Sequence, residues 1–520
     1  MLLTTSIICD VVAIFATAIC GFLIYAYWKL GYWSRKGLYD NDPVLFYGNA
    51  KKLLSRQQSL GEMWRDIYNN IKAKGLKHGG GSMMFGQTYV PVDLDIIKHI
   101  MQEDFQHFNS HGVYFNEKDD PLSAHLFALS GPKWRNMRVK LTPTFTSGKL
   151  KMMFSRLVEC GECLKEKMEE FSNSGQYLDI KDILQSFTID NIASCAFGLE
   201  CDTMKNPNNE FATRGKNIFK PGLKLMLRTL VSFIFPHDFL RKIKLRRTDY
   251  DTEQFFINVL QKIVEHREKN KEYRNDFMHL MLQLKNIGKV TDDERLTNDG
   301  KSAEGAITFN QLAAQAFVFF VAGFETSSTT MTYALYEIAT NMGLQDKMRE
   351  EIRNVLERYD GKLTYEAIKD MHLMDRVLQE TLRKYPVIPM IPRECTKDYQ
   401  VPGTGVTIEK GTSVAISTLG IHHDAEIYPD PMKFDPDRFL EENKRSRHPF
   451  SWLPFGEGPR ACIGLRFGLL QIKVGLASIL EKYDITLSEK TEIPLKFNPS
   501  SGPILSVKGV IWLKIKQHKD

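Results

Sequence analysis

The residues best suited to chemistry stand near the carboxyl end, in the run Phe455-Gly-Glu-Gly-Pro-Arg-Ala-Cys462-Ile-Gly464. A cysteine thiolate is a soft ligand that suits a haem iron, provided the backbone brings sulfur close beneath a flat macrocycle. Gly456 and Gly458 permit the tight turn, and Gly464 removes a side chain where a following helix would pass the ring. The N–H groups that open such a helix stabilise negative charge on sulfur. Arg460 offers a cation for a haem propionate. Two other readings compete. Gly456-Glu-Gly458-Pro-Arg-Ala461 also spells a G-x-G-x-x-A dinucleotide loop, but that fingerprint needs a buried strand just before its glycines. The preceding residues 447–455 hold two prolines, a serine and a histidine, a poor central strand. An ordinary buried cysteine after a turn stays open on this loop alone.

Other runs carry weaker signals. Ala322-Gly323-Phe324-Glu325-Thr326-Ser327 falls in the middle of a long apolar helical stretch. Glycine costs helix stability and threonine can bond its hydroxyl to the preceding turn, so the helix could loosen there against a ligand. Close packing of small residues explains the same pattern. Glu380 and Arg383 share a helix face, where an exposed pair contributes only about 0.2–0.5 kcal/mol. Trp134 and Arg138, at i and i+4, also share a face. Phe434-Asp-Pro436-Asp-Arg438-Phe439 follows Tyr428-Pro-Asp-Pro431, and Arg393 stands in Pro389-Met-Ile-Pro-Arg-Glu-Cys395.

In chain order, these runs resemble the five motifs of the cytochrome P-450 family, and the resemblance extends from the amino terminus to about Ile515. It is nearest to the microsomal class, beside the insect families that oxidise plant toxins and insecticides. The resemblance implies haem b with Cys462 as axial thiolate. It implies that Trp134, Arg138, Arg393 and Arg460 meet the haem propionates, and that Glu325 and Thr326 organise proton delivery for oxygen activation. Glu380, Arg383 and Arg438 it assigns to structure, locking the region before the haem loop. The implied reaction is monooxygenation of a lipophilic small molecule, xenobiotic or endogenous. Electrons would come from NADPH through NADPH-cytochrome P-450 reductase, with cytochrome b5 as an optional second partner. The rival enzyme is a haem-thiolate isomerase or dehydratase that rearranges peroxides without a reductase. Such relatives often lose the groove threonine, so Thr326 argues against it. A non-catalytic haem sensor would need no such groove. The substrate pocket, by analogy, is walled by residues 111–127, 317–324, 387–391 and 500–503, largely apolar and aromatic. Two departures stand out. His111 precedes Gly112 where the insect sequences commonly carry arginine, and Pro43 stands alone where a proline-rich hinge is usual.

The elements that must position these residues are mostly helical. Apolar periodicity marks helices over residues 60–73, 147–172, 252–270, 311–341, 344–358 and 374–384, with another over about 463–482. Short β signals cluster late, at 399–401, 406–408, 413–416 and 509–515. The class is α+β, predominantly α-helical. Residues 292–305 are polar enough for a surface loop. Residues 11–28 carry no charge, long enough to cross a bilayer, which takes about 20 residues. No Lys or Arg precedes them, unlike a cleaved signal peptide, and Lys29, Arg35 and Lys36 follow. By the positive-inside rule the following chain stays cytosolic. The expected organisation is therefore a membrane anchor over 1–32 and a catalytic domain over 33–520, in the endoplasmic reticulum membrane and in contact with membrane lipid.

A net charge of +6 over 520 residues is too small to suggest a nucleic-acid binder. Eight scattered cysteines do not read as a secreted disulfide framework, and Cys160-x-x-Cys163 has no second pair nearby. His78-Gly-Gly-Gly81 resembles an esterase oxyanion loop, but the chain has no G-x-S-x-G. His422 and His423 lack a third metal ligand at a suitable spacing. Residues 241–247, rich in Lys and Arg, read as a solvated basic run. With the apolar residues before them they also suit a membrane surface.

Overall fold

The computed structural model describes residues 2–220, 222, 227–228, 231–232, 235–291 and 305–519. Its main helices are α1 (Leu2–Leu30), α2 (Tyr32–Arg35), α3 (Leu60–Ala73), α4 (Gly131–Leu141), α5 (Ser147–Ser174), α6 (Ile180–Ile192), α7 (Glu210–Ile218), α8 (Tyr250–Asn270), α9 (Phe309–Thr340), α10 (Met342–Arg358), α11 (His372–Lys384) and α12 (Leu465–Leu480). The strands are β1 (His78–Met83), β2 (Gly86–Pro91), β3 (Ile391–Glu394), β4 (Tyr399–Gln400), β5 (Thr407–Ile408), β6 (Ser413–Ile416), β7 (Tyr483–Leu487) and β8 (Trp512–Gln517). The architecture is α+β with helix dominant.

Helix α9 forms the axis of the larger core. It starts at a capping box, in which the Thr308 hydroxyl accepts from the Gln311 N–H and the Gln311 side chain accepts from the Thr308 N–H. Apolar side chains on all sides then bury it between α6 and α12. The helix runs unbroken through Gly323, where the sequence allowed a loosening. A side chain there would meet Ile192 of α6 at 2.4 Å, so this glycine serves close packing. Cys160 and Cys163 lie on α5 against the same core, as free thiols.

The β signals are not confined to the late sequence. Strands β1 and β2 form an antiparallel hairpin, β2 pairs in parallel with β6, and β6 pairs antiparallel with β3. The glycines of His78-Gly-Gly-Gly81 therefore lie in a strand, and no oxyanion loop is present. The missing side chain of Gly80 makes room for the indole of Trp33, which is 1% exposed and donates through Nε1 to the Gly81 carbonyl at 3.2 Å, while Gly79 and Gly81 admit Ile71, Ile67 and Trp64 of α3. A Cβ on Gly80 would lie 2.0 Å from Trp33 Cγ. Only Gly31 separates α1 from α2, which carries Trp33.

Glu380 and Arg383, which spacing alone could not tell from an exposed pair, are both fully buried. Arg383 donates to Glu380 at 2.6 and 2.8 Å, and also to the carbonyls of His422 and Pro431. Arg438 stands 3.5 Å from the same carboxylate, which also accepts from the Asp435 N–H. His422 accepts from the Leu453 N–H at 2.8 Å, and His423 hydrogen-bonds the Lys384 carbonyl; both are core groups, not metal ligands. The basic run 241–247 is only partly solvated. Arg246 pairs with Glu253 at 2.7 Å, and Arg247 donates to the Tyr114 carbonyl. The apolar stretch before it, and residues 292–304 of the polar loop, lie largely outside the described residues.

Replacing Glu380 with Gln strands two guanidiniums in a dry site. Loss of one partner of a buried ion pair typically costs about 3–5 kcal/mol. Glu380→Gln should therefore unfold at markedly lower urea than wild type in the same detergent, and an unchanged midpoint would refute this role.

Candidate active site

The loop before α12 is shaped by its glycines. Gly456 and Gly458 take φ of 66° and 72°, and a Cβ on Gly458 would lie 2.1 Å from the Met101 carbonyl oxygen. A single 3-10 turn over Gly458–Arg460 follows, and the Cys462 N–H closes the loop on the Phe455 carbonyl at 2.9 Å. Cys462 then stands at the start of α12. Protein surrounds it deep in the fold, yet its side chain is solvent-accessible, so it lies on the wall of an internal cleft. Burial raises its thiol above the usual range, opposed by the N–H groups of Gly464 and Leu465 and by Arg138. The dinucleotide reading fails here, since a 3-10 turn over Pro449–Ser451 precedes the glycines instead of a strand.

Three guanidiniums gather around this loop. Arg138 of α4 donates to the Ala461 carbonyl at 2.9 Å, beside Cys462. Arg393 of β3 is buried and donates to the Pro392 carbonyl, while its Nε has no hydrogen-bond partner. Burial holds its pKa down to about 10. Arg460 lies in a cage of backbone carbonyls, donating to Asn109 (2.5 Å), Leu126 (3.2 Å) and Leu129 (2.5 Å). The Trp134 ring lies 4.3 Å from its guanidinium carbon, a cation–π contact. Burial, then Arg393 and Arg138, push the Arg460 pKa down to about 8. None of the three meets a carboxylate within 4.0 Å among the described residues. His111 belongs to the same group. It is buried, stacks on Phe127 at 4.2 Å and hydrogen-bonds the Phe127 carbonyl through Nδ1. Burial and the charges of Arg393 and Arg460 depress its pKa well below the usual value, so it is a neutral group at pH 7.

This donor set fits a haem. An accessible sulfur meets N–H groups that favour its anionic form, and desolvated guanidiniums lack an anion that propionates would supply. An orphaned Nε on a buried arginine is the kind of group an anionic ligand satisfies.

Across the cleft, α9 is tied to α12 by Gln471, which donates to the Gly323 carbonyl at 2.8 Å and to Ser327 at 2.5 Å. Thr326 donates its hydroxyl to the Ala322 carbonyl at 2.7 Å on a partly exposed face of the helix. Glu325 is one residue and about 100° round the helix. It faces α6 instead, paired with Lys181 at 3.1 Å and accepting from Gln185 at 2.7 Å. The structure thus brings Trp134, Arg138, Arg393, Arg460 and Cys462 together and turns Glu325 about 100° round α9 from the open face of Thr326, toward α6. Lys181, Gln185 and the carbonyl cage have no sequence signature; His111 was marked only by its departure from the motif. Phe324 meets Phe219 edge-on at 5.8 Å, and Phe320 lies 4.7 Å from Phe211; Phe320 and Phe324 are wholly buried, so of the expected 317–324 wall these two rings are packed into the core. Leu382, Val387 and Ile504 form an apolar patch with Ile388, Trp452 and Phe455.

Comparison with known proteins gives one answer throughout. The family model described as cytochrome P450 matches residues 41–512. The protein called probable cytochrome P450 6a23, of Drosophila melanogaster, is 42% identical over 489 residues, covering 94% of this chain and 95% of its own. Cytochrome P450 6a2 of the same fly is 40% identical over 505 residues, 96% and 98% of the two chains. Cytochrome P450 6A1 of Musca domestica is 41% identical over 486 residues, 92% of each.

Proposed function

The chain belongs to the cytochrome P450 family, and within it we propose that Cys462 is the axial thiolate of the haem iron. The protein is a haem-thiolate monooxygenase. One atom of O2 enters a lipophilic small molecule and the other leaves as water, with electrons from NADPH through a flavoprotein reductase. Haem, when bound, supplies the one-electron and oxygen chemistry, which thiolate ligation tunes toward O–O cleavage. The isomerase and sensor readings are not favoured.

The observation that carries the site assignment is an accessible Cys462 sulfur beneath three guanidiniums that have no carboxylate partner. Arg138 and Arg393 hold the propionates directly on this reading, with the unpartnered Arg393 Nε as the clearest support. Arg460 acts through its charge, because carbonyls already take most of its N–H groups, and Trp134 positions it from the ring face. Thr326 keeps its hydroxyl proton on Ala322 and leaves its oxygen lone pairs for a proton carrier in the cleft. Glu325 enters the same proton route from the far side of that turn, where Lys181 and Gln185 hold its carboxylate. The partly buried Phe219, Ile388, Trp452 and Phe455 suit a lipophilic substrate.

Residues 1–32 form the membrane anchor and 33–520 the catalytic body, in the endoplasmic reticulum membrane with the body cytosolic. Support comes from the apolar helix Asp10–Leu30, almost wholly exposed, and from Lys29, Arg35 and Lys36 after it. Cytochrome b5 is a second electron partner on this placement.

Three outcomes follow. Reduced protein under carbon monoxide should show the strongly red-shifted Soret band of a thiolate-bound haem, and Cys462→His should abolish it; a mutant that kept the band would move the ligand to another cysteine. Thr326→Ala should keep that band while NADPH consumption yields less product and more hydrogen peroxide. General acid–base groups typically contribute about 10²–10⁴-fold, and substitution by water lessens the loss. Product formed per NADPH consumed is the measurement, and unchanged coupling would leave Thr326 as packing. In intact microsomes, carbonate washing should leave the chain bound and added protease should digest its body. Protection of the body would place it in the lumen.

A further inference from the structure

The segment that leads into α8 is laced to one wall of the expected substrate pocket. The Asp120 carboxylate accepts from the N–H groups of Arg247 and Thr248 at 2.8 and 2.9 Å, and the Tyr114 hydroxyl donates to the Leu245 carbonyl at 2.9 Å. Arg246 donates to the Asp119 carbonyl and pairs with Glu253 of α8. The wall is itself tied to α9. A 3-10 turn over Pro121–Ser123 packs on that helix, and the Leu126 N–H donates to the wholly buried Gln315 at 2.8 Å. Beyond the segment, α8 closes on α9 through Phe256 and Phe317, whose rings are 5.2 Å apart. Residues 245–248 therefore hold a fixed place beside the pocket.

One charge in this segment is left over. Arg246 is taken up by Asp119 and Glu253. The Arg247 guanidinium makes one hydrogen bond, to the Tyr114 carbonyl at 3.3 Å, and meets no carboxylate within 4.0 Å among the described residues. Asp120 attracts it, but spends its Oδ2 on the two backbone N–H groups. Protein surrounds Arg247 on nearly every side, yet its side chain is solvent-accessible, the combination that marks Cys462 on its cleft. An ordinary surface arginine sits in open water, and a core arginine is wrapped by carbonyls, as Arg460 is. Arg247 is neither, so its remaining N–H groups open onto an enclosed space. His125 lies within reach of the same charge. Its Nδ1 is buried with no hydrogen-bond partner, and burial, then Arg247, holds its pKa down to about 3, so it is neutral. Two residues on, Phe127 is 46% exposed and stacks on His111, beside Arg393 and Arg460. The wall thus has a cationic end at Arg247 and an aromatic face toward the Cys462 cleft.

We propose that Arg247, with His125 beside it, is the head-group subsite for a lipophilic carboxylate, whose apolar tail runs past Phe127 toward Cys462. The inference rests on the monooxygenase reading and on the expected pocket wall. A guanidinium offers two parallel N–H donors that match a carboxylate. One arginine beside a neutral histidine balances a single negative charge, and Asp120 close by would repel the second charge of a phosphate.

The test uses the full chain, haem-loaded in detergent, with dodecanoate and dodecanol as probes at mildly alkaline pH, where the acid is ionised. The haem spectral shift on ligand binding should give a Kd for dodecanoate about ten-fold or more below that for dodecanol. In Arg247→Gln the two values should converge through loss of affinity for the acid, with the dodecanol value and the carbon monoxide band unchanged. The bonds to Asp120 come from backbone N–H groups and survive the substitution. Arg247→Lys should keep part of the preference. With reductase and NADPH, wild type should oxidise acids of increasing chain length at a constant count of carbons from the carboxyl. Dodecanol binding as tightly as dodecanoate in wild type, or a preference kept in Arg247→Gln, would overturn the inference. So would oxidation at a constant count from the methyl end, a wild-type result that holds whether or not the variant keeps its band. Absence of the carbon monoxide band in wild type would instead strike the haem-thiolate reading itself.

Discussion

Two buried guanidiniums, Arg393 and Arg460, and the half-buried Arg138, with no carboxylate to meet them among the described residues, set the terms for the centre of this molecule. Removing an ion from water costs several kcal/mol even after relaxation. Arg393 and Arg460 register that cost as pKa values pushed down to about 10 and about 8. The fold gathers these charges from far apart in sequence, on α4, on β3 and in the loop before α12. Each also anchors backbone, so none is there by accident of packing. A dianionic cofactor relieves the repulsion, and whatever binds the folded chain but not the unfolded one stabilises it. Haem retention and folding stability are therefore coupled in this chain.

A second charged site is closed on itself. Glu380, Arg383 and Arg438 compensate one another inside the protein and reach out only to carbonyls and the Asp435 N–H. The contrast explains the division of labour between the two clusters. A network closed on its own carboxylate and on backbone carbonyls fixes the chain from α11 to the residues leading into the cysteine loop and needs no ligand. The open cluster around Cys462 keeps a charge deficit and needs one.

Much of the helical frame was legible in the sequence because it rests on apolar periodicity: the seven helices that the pattern placed begin and end within two residues of it, whereas α4, α6 and α7 were not placed. The cysteine loop was legible because its constraints are local: turn, thiolate and helix start lie within ten residues. Other features were hidden for identifiable reasons. Strand β1 carries three glycines, and alternation cannot be seen where there are no side chains. Spacing of three residues looks the same for an exposed Glu–Arg pair and for Glu380 and Arg383 at zero exposure. The direction of Glu325 depends on Lys181 and Gln185, more than a hundred residues away in a helix whose contact with α9 no local pattern announces. The missing proline hinge was visible as a departure, but the indole of Trp33 seated on Gly80 was not.

The carbonyl cage around Arg460 has a consequence for how this protein can change. The guanidinium reads only the backbone of Asn109, Leu126 and Leu129, not their side chains. Residues 111–127, which lie between Asn109 and Leu129, also supply a wall of the expected substrate pocket. Its exposed side chains can thus diversify without disturbing the arginine, whereas Asn109, which accepts from the Gly131 N–H, and the buried Leu126 and Leu129 are held by other contacts, and insertions or deletions would misplace the carbonyls and disturb the cysteine loop directly. Selection on new substrates can rewrite the composition of that wall far more cheaply than its length.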